Sequence, residues 1–161
     1  MKVVIQRVKQ ASVTVNKEVI SQINKGLMLL VGISTEDSKE DVEKLANKVL
    51  RLKLFEDVGV DANTKTEWVG KPWQKSVVDI KGEILSVSQF TLYGNIQKGA
   101  KPDFHRAQKG HVAQEMYEMF LGLLRAAMGE DRVKDGQFGA MMDVAIVNDG
   151  PVTIVWDTRD K

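Results

Sequence analysis

Glu83-Ile84-Leu85-Ser86-Val87-Ser88-Gln89-Phe90-Thr91-Leu92-Tyr93 alternates between two sets of side chains along its whole length. Ile84, Ser86, Ser88, Phe90 and Leu92 share one face and Leu85, Val87, Gln89, Thr91 and Tyr93 the other, the two-residue period of a β-strand. Polar side chains fall on both faces of this otherwise apolar strand. A buried hydroxyl or amide left without a partner costs about 1–3 kcal/mol. Two readings therefore stand: Ser and Thr at a strand end that bond to neighbouring backbone, or a site.

Upstream, Leu27 to Ile33 is an unbroken apolar run, the signature of a central strand covered on both sides. It is entered through the turn Asn24-Lys25-Gly26 from a short partner strand, Val19 to Ile23. Val3 to Val8 and Ala11 to Val15 alternate in the same way and read as two strand segments separated by a bend. Ser38 with Asp41 three residues later resembles a capping box, followed at helical spacing by Val42, Leu45, Ala46, Val49 and Leu50. Lys53 to Phe55 returns to strand. Glu56 to Lys75 is polar and rich in turn residues, a loop or loose hairpin.

Downstream, Gly94 to Gly110 is a second loop. A second helix spans about His111 to Met128, with Val112, Met116, Phe120, Leu123 and Leu124 on one stripe and Gly129 as its stop. Met141 to Val147 and Val152 to Trp156 read as two strands joined by Asn148-Asp149-Gly150-Pro151. Many strands with only two long helices, not alternating one for one, predict an α+β fold. The expected form is a curved, barrel-like, mostly antiparallel sheet flanked by two amphipathic helices, in one domain spanning 1–161.

Composition narrows the chemistry. The chain has 161 residues, 43% of them hydrophobic, so a core can form without disulfide or metal. It contains no cysteine, which removes thiol nucleophiles, thiolate metal sites and disulfide scaffolds and fits a reducing compartment. The longest apolar run has seven residues, against the roughly 20 that span a bilayer. Charge interrupts the first apolar residues, so no targeting peptide is expected and a cytoplasmic location is. Lys and Arg number 23 against 22 Asp and Glu, a formal charge of +1, so any anionic partner must be met locally.

His105 and His111 lie six residues apart, which does not put two ligands on one helical face, and neither a phosphate-binding loop nor a dinucleotide fingerprint is present. Neither a metal nor a cofactor is expected. Gln97 to His111 carries Lys98, Lys101, Arg106 and Lys109 against one acid, Asp103. Such a loop either solvates a surface or holds phosphates. The Gly150-Pro151 turn likewise supports two readings, a plain hairpin turn or a shaped backbone wall in a pocket, since X-Pro bonds alone have an appreciable cis population.

Taken together, the chain resembles the D-aminoacyl-tRNA deacylase family over nearly its whole length. The resemblance rests on Val4-Ile5-Gln6-Arg7-Val8 with Ala11-Ser12-Val13, Leu29-Leu30-Val31-Gly32-Ile33, Gly82 to Leu92, Lys101-Pro102-Asp103-Phe104-His105, Asp135 to Met142, and Asn148-Asp149-Gly150-Pro151-Val152-Thr153. Ser88-Gln89-Phe90-Thr91-Leu92 paired with the Asn-x-Gly-Pro-x-Thr turn is its most specific part. The resemblance implies hydrolysis of the ester of D-aminoacyl-tRNA, and of glycyl-tRNA, as chiral proofreading by a homodimer. Ser88, Gln89, Phe90 and Thr91 would line the catalytic pocket. Gly150-Pro151, its bond cis, would enter that pocket from the other subunit, braced by Arg7, and its carbonyls would exclude L side chains. Phe138, Gly139, Ala140, Met141 and Met142 would surround the terminal adenosine. The local charge of the basic loop, apart from the resemblance, makes Lys98, Lys101 and Arg106 the candidates for holding the acceptor phosphates. Between Asp57 and Lys75 the chain is several residues longer than the family's usual length.

An aminoacyl ester is already activated, so its hydrolysis needs a placed water and donors for the developing oxyanion rather than a strong base. No base stands near the motifs in sequence. The resemblance supplies the rest, since the substrate's own 2′-hydroxyl would help activate water. Two rivals remain open at this point. One is a module that only binds structured RNA; the other is a Ser/Thr hydrolase using Thr91 or Ser88 with His105 as base.

Overall fold

Lys2–Val15 (β1) is the strand on which the sheet is assembled. Val3 and Ile5 are fully buried from its first half, and Val8, Ala11, Val13 and Val15 are buried from its second half. The two halves feed different cores: Val3 and Ile5 join the apolar layer beneath the helices, and Val8 to Val15 fill the inside of the curved sheet. The expected bend is therefore a pair of register shifts around Arg7 and Lys9 inside one continuous strand. The computed structural model describes residues 1–58 and 70–161.

Along one side of β1 lie two antiparallel partners in succession. Gly26–Gly32 (β3) pairs with its first half and Glu18–Ile23 (β2) with its second, joined by a turn that includes Asn24 and Lys25. Beyond β3 the sheet continues in parallel through Glu83–Ser88 (β6) to Val133–Asp135 (β7). The Ser21 hydroxyl of β2 donates to the Asp135 carbonyl of β7, which draws the two ends of the sheet together into a nearly closed barrel. Leu27, Leu29 and Val31 of β3 face the helix layer and Met28 the barrel interior, all fully buried, as expected for a strand covered on both sides.

The helices cover the outer face. Lys39–Arg51 (α1) begins with the expected capping box, in which the Ser38 N–H donates to the Asp41 carboxylate at 3.0 Å. Val42, Leu45, Ala46 and Val49 are buried against Tyr117, Phe120, Leu121 and Leu124 of Gly110–Met128 (α2). The stripe on α2 is rotated from the expected one. Ala113 and Tyr117 face inward and Val112 is half exposed, because a small and an aromatic residue meet the sheet where the purely apolar pattern pointed one position earlier. Gly129, at φ +93°, ends the helix as anticipated.

Three boundaries differ from the sequence reading. The return strand is Phe55–Asp57 (β4), not Lys53 to Phe55, paired with Lys71–Lys75 (β5) as a hairpin whose positions 59–69 lie outside the described residues. The strand expected to reach Tyr93 stops at Ser88. The ladder with its parallel partner ends there, with Val31 opposite Ser88, and Phe90–Tyr93 coils into a 3-10 turn instead. That turn packs over Gly32, where an added Cβ would sit 2.9 Å from the Leu92 Cβ. The third difference is at the C-terminal end. No hairpin separates the last two strands: Asp143–Asp157 (β8) is one strand, antiparallel to β1 throughout. Asp149 to Val152 form an outward bulge in it opposite Arg7, because Gln6 pairs with Thr153 and Val8 with Asn148.

Candidate active site

Where β6 runs out, the structure opens a cavity of about 700 Å³. One wall is the end of β6 and the 3-10 turn, carrying Ser88, Gln89, Phe90 and Thr91; the facing wall is the segment after β7, with Phe138, Gly139, Ala140, Met141 and Met142. The approach to α2, Gln108 and Lys109, and its first turn, with Gly110 and Ala113, close the third side. The two residue sets expected to act together therefore share one space. The wall segment folds back on itself: Gly136 carries no Cβ, and one placed there would lie 2.6 Å from Met142 Sδ.

Among the residues lining this cavity none is His, Asp or Glu. Thr91 Oγ1 accepts a hydrogen bond from Gln89 Nε2 at 2.5 Å. It thus has an amide donor beside it and no proton acceptor placed to activate it. His105 is held elsewhere. Its Nδ1 meets the Asp103 carboxylate, which this contact holds below the ordinary carboxylate range, and the ring lines a second cavity of about 770 Å³ with Arg106, Lys2, Tyr93 and Arg159. His111 pairs with Glu115 at 2.8 Å on the surface of α2. A Thr91–His105 or Ser88–His105 nucleophile pair is not assembled.

Arg7 is buried and reaches in two directions. Its Nη1 donates to the Leu54 carbonyl at 2.7 Å, and its Nε donates to the Asp149 carbonyl at 3.1 Å, with the Asp149 carboxylate 3.4 Å away. The Gly150-Pro151 peptide bond is cis, and the bulge that carries it is tied to β1 by this guanidinium. Gly150, at φ +119°, sits so close to Arg7 that a Cβ would come 3.0 Å from Nη2. Neither Gly150 nor Pro151 lines the cavity of its own chain. Lys98 and Lys101 stand exposed in the loop between the 3-10 turn and α2, where Asn95 and Asp103 exchange backbone hydrogen bonds, while Arg106 borders the second cavity.

Sequence reasoning missed the contribution of α2. Gln108, Gly110 and Ala113 carry no chemical signature, and only the small side chain at position 113, one turn before Tyr117, hints at a wall. No group of three or more metal-ligating side chains is found among the described residues, and no helix there is long and apolar enough to cross a membrane.

The model of the family described as D-Tyr-tRNA(Tyr) deacylase matches residues 4–157. This chain belongs to that family. Curated D-aminoacyl-tRNA deacylases are similar throughout: that of Candida glabrata is 56% identical over 99% of this chain and 100% of its own. That of Saccharomyces cerevisiae is 54% identical over 98% and 99%. Among solved structures, a c-Myc DNA Unwinding Element Binding Protein superposes with a TM-score of 0.87 at 48% identity, covering 98% of each chain. A probable eukaryotic D-amino acid tRNA deacylase superposes at 0.79 with 20% identity over 96% of this chain and 97% of that one, which shows the same fold. The deacylase family model thus spans the cavity walls, the Arg7 brace and the Gly150-Pro151 bulge alike.

Proposed function

We propose that this cavity receives the aminoacylated 3′ end of a tRNA and that the protein hydrolyses the ester of D-aminoacyl-tRNA and glycyl-tRNA. Water adds to the ester carbonyl, the ester C–O bond breaks, and free amino acid and the 3′-hydroxyl of tRNA are released. One observation carries the reading. Ser88 to Thr91 and Phe138 to Met142 face each other across a single cavity whose lining holds no His, Asp or Glu. The start of the 3-10 turn leaves the N–H groups of Phe90 and Thr91 without intrahelical acceptors, which suits a developing oxyanion. With the ester already activated, the substrate's 2′-hydroxyl and a placed water complete the chemistry.

Stereochemical choice belongs to Gly150 and Pro151 of a second copy. Their bulge is braced by Arg7 and lines neither of the two cavities described above. Beside it β8 pairs only with β1 among the described residues, and Val144, Val147 and Val155 are exposed along it. A second copy covering this apolar strand removes an edge that is otherwise a liability. Its Gly-Pro carbonyls would then leave room for hydrogen or a D side chain and none for an L side chain. Incubating the protein with D-tyrosyl-tRNA and following release of free tyrosine tests the activity. Sustained release supports it, and release no faster than in buffer alone sinks it.

A further inference from the structure

The cavity is built on three elements, and one buried hydroxyl ties all three together. Tyr117, 1% exposed, lies on α2 one turn beyond Ala113, which lines the cavity. Its oxygen is 2.6 Å from Asp135 Oδ1 and 3.0 Å from Ser86 Oγ, so it donates to the carboxylate and accepts from the serine. Ser86 is fully buried on β6, two residues before Ser88. Asp135 ends β7, three residues before Phe138. The backbone repeats the link, since the Gly136 N–H donates to the Ser86 carbonyl at 3.2 Å. The Tyr117 ring also stacks obliquely against Phe138, with centroids 6.1 Å apart.

We infer that Tyr117 is a positioning residue: by holding Asp135 and Ser86 it fixes the spacing between the Ser88–Thr91 wall and the Phe138–Met142 wall. This inference rests on the reading of the cavity given above. A purely apolar α2 would pack as well against the sheet, and a phenylalanine would fill the same space. What the hydroxyl adds is direction. It fixes each wall to the same point, so that an adenosine held on one wall presents its ester at a set distance from the other. Misplacing reacting groups by about 1 Å can cost about 100-fold in rate.

The test is Tyr117→Phe, assayed at a temperature where circular dichroism shows it fully folded, with D-tyrosyl-tRNA as substrate. The expected result is a fall in kcat of about 10- to 100-fold with KM changed less than about threefold, because the adenosine wall still binds but no longer aims the ester. Asp135→Asn, which keeps an oxygen acceptor at the same place, should retain most of kcat. Asp135→Ala should match Tyr117→Phe, and the double variant Tyr117→Phe/Asp135→Ala should lose little more, as expected for groups acting as one unit. A kcat for Tyr117→Phe within twofold of the unmutated protein, or a loss confined to KM, overturns the inference. If Tyr117→Phe does not fold, Asp135→Ala decides between the same two outcomes. The unmutated protein run in parallel separates the claims: without its turnover the functional reading falls and takes this one with it, whereas normal turnover beside an unaffected variant defeats the positioning role alone.

Discussion

Arg7→Lys is the sharpest probe of the brace beneath the Gly150-Pro151 bulge. The guanidinium serves two backbone carbonyls in different directions, Leu54 at 2.7 Å and Asp149 at 3.1 Å, from a position 5% exposed. Lysine keeps the charge but replaces a planar fork by a single ammonium on a flexible stem, which cannot hold both. A hydrogen bond from a charged donor contributes about 1.5–3 kcal/mol, and one is lost. The Asp149 carboxylate, partly open to water, adds at most about 1 kcal/mol. The variant should therefore be destabilised by about 1.5–4 kcal/mol, or about 3–16 °C in Tm for a domain of this size. The functional loss should be more selective. With the bulge less firmly held, the preference for D- over L-tyrosyl-tRNA should shrink more than kcat/KM for the D substrate falls. Urea titration and parallel kinetics on both substrates measure these quantities. Stability within about 0.5 kcal/mol of the unmutated protein, together with unchanged discrimination, would refute the reasoning.

Thr91→Ala should keep substantial turnover, because the Thr91 hydroxyl has an amide beside it and no base. A tRNA ending in 2′-deoxyadenosine should be cleaved slowly even by the unmutated protein, and an acyl-Thr91 adduct seen by mass spectrometry would reverse this assignment. Replacing Lys98, Lys101 and Arg106 together by alanine should raise KM for tRNA several-fold and flatten the salt dependence of binding, with kcat little changed. An unaltered salt slope would leave those residues as ordinary surface cations. Sedimentation at micromolar concentration should give about twice the 18.0 kDa chain mass, and a fully active monomer would contradict the shared site.

The strands and helices were legible where their patterns are strong: Leu27 to Ile33 reads as a covered strand and Gly26–Gly32 is one, and Ser38 with Asp41 marked the start of α1 in sequence as in structure. Two of the misreadings, at Phe90 to Tyr93 and at Asn148 to Pro151, share one physical cause, which is that a strand runs as far as its neighbour does. Phe90 to Tyr93 keep a strand-like alternation, yet the ladder between β3 and β6 stops at Val31 and Ser88 and leaves them nothing to join. Conversely, Asn148 to Pro151 have the composition of a turn, but β1 runs past them and holds β8 in line on both sides of the bulge. The site was legible as two motifs and not as one place. Nothing local in Ser88 to Thr91 says that Phe138 to Met142 face it, since that depends on β6 and β7 lying parallel side by side. Tyr117 was invisible for the same reason, as its partners Ser86 and Asp135 are distant in sequence and meet only in the folded barrel.

The most direct measurement compares the rates of ester loss from D-tyrosyl-tRNA and L-tyrosyl-tRNA, matched in tRNA, concentration and buffer. Selection by the backbone carbonyls of Gly150 and Pro151 predicts rapid loss of the D ester, with the L ester decaying no faster than in buffer, a ratio of about a hundredfold or more. Equal acceleration of both esters, or of neither, would contradict the account.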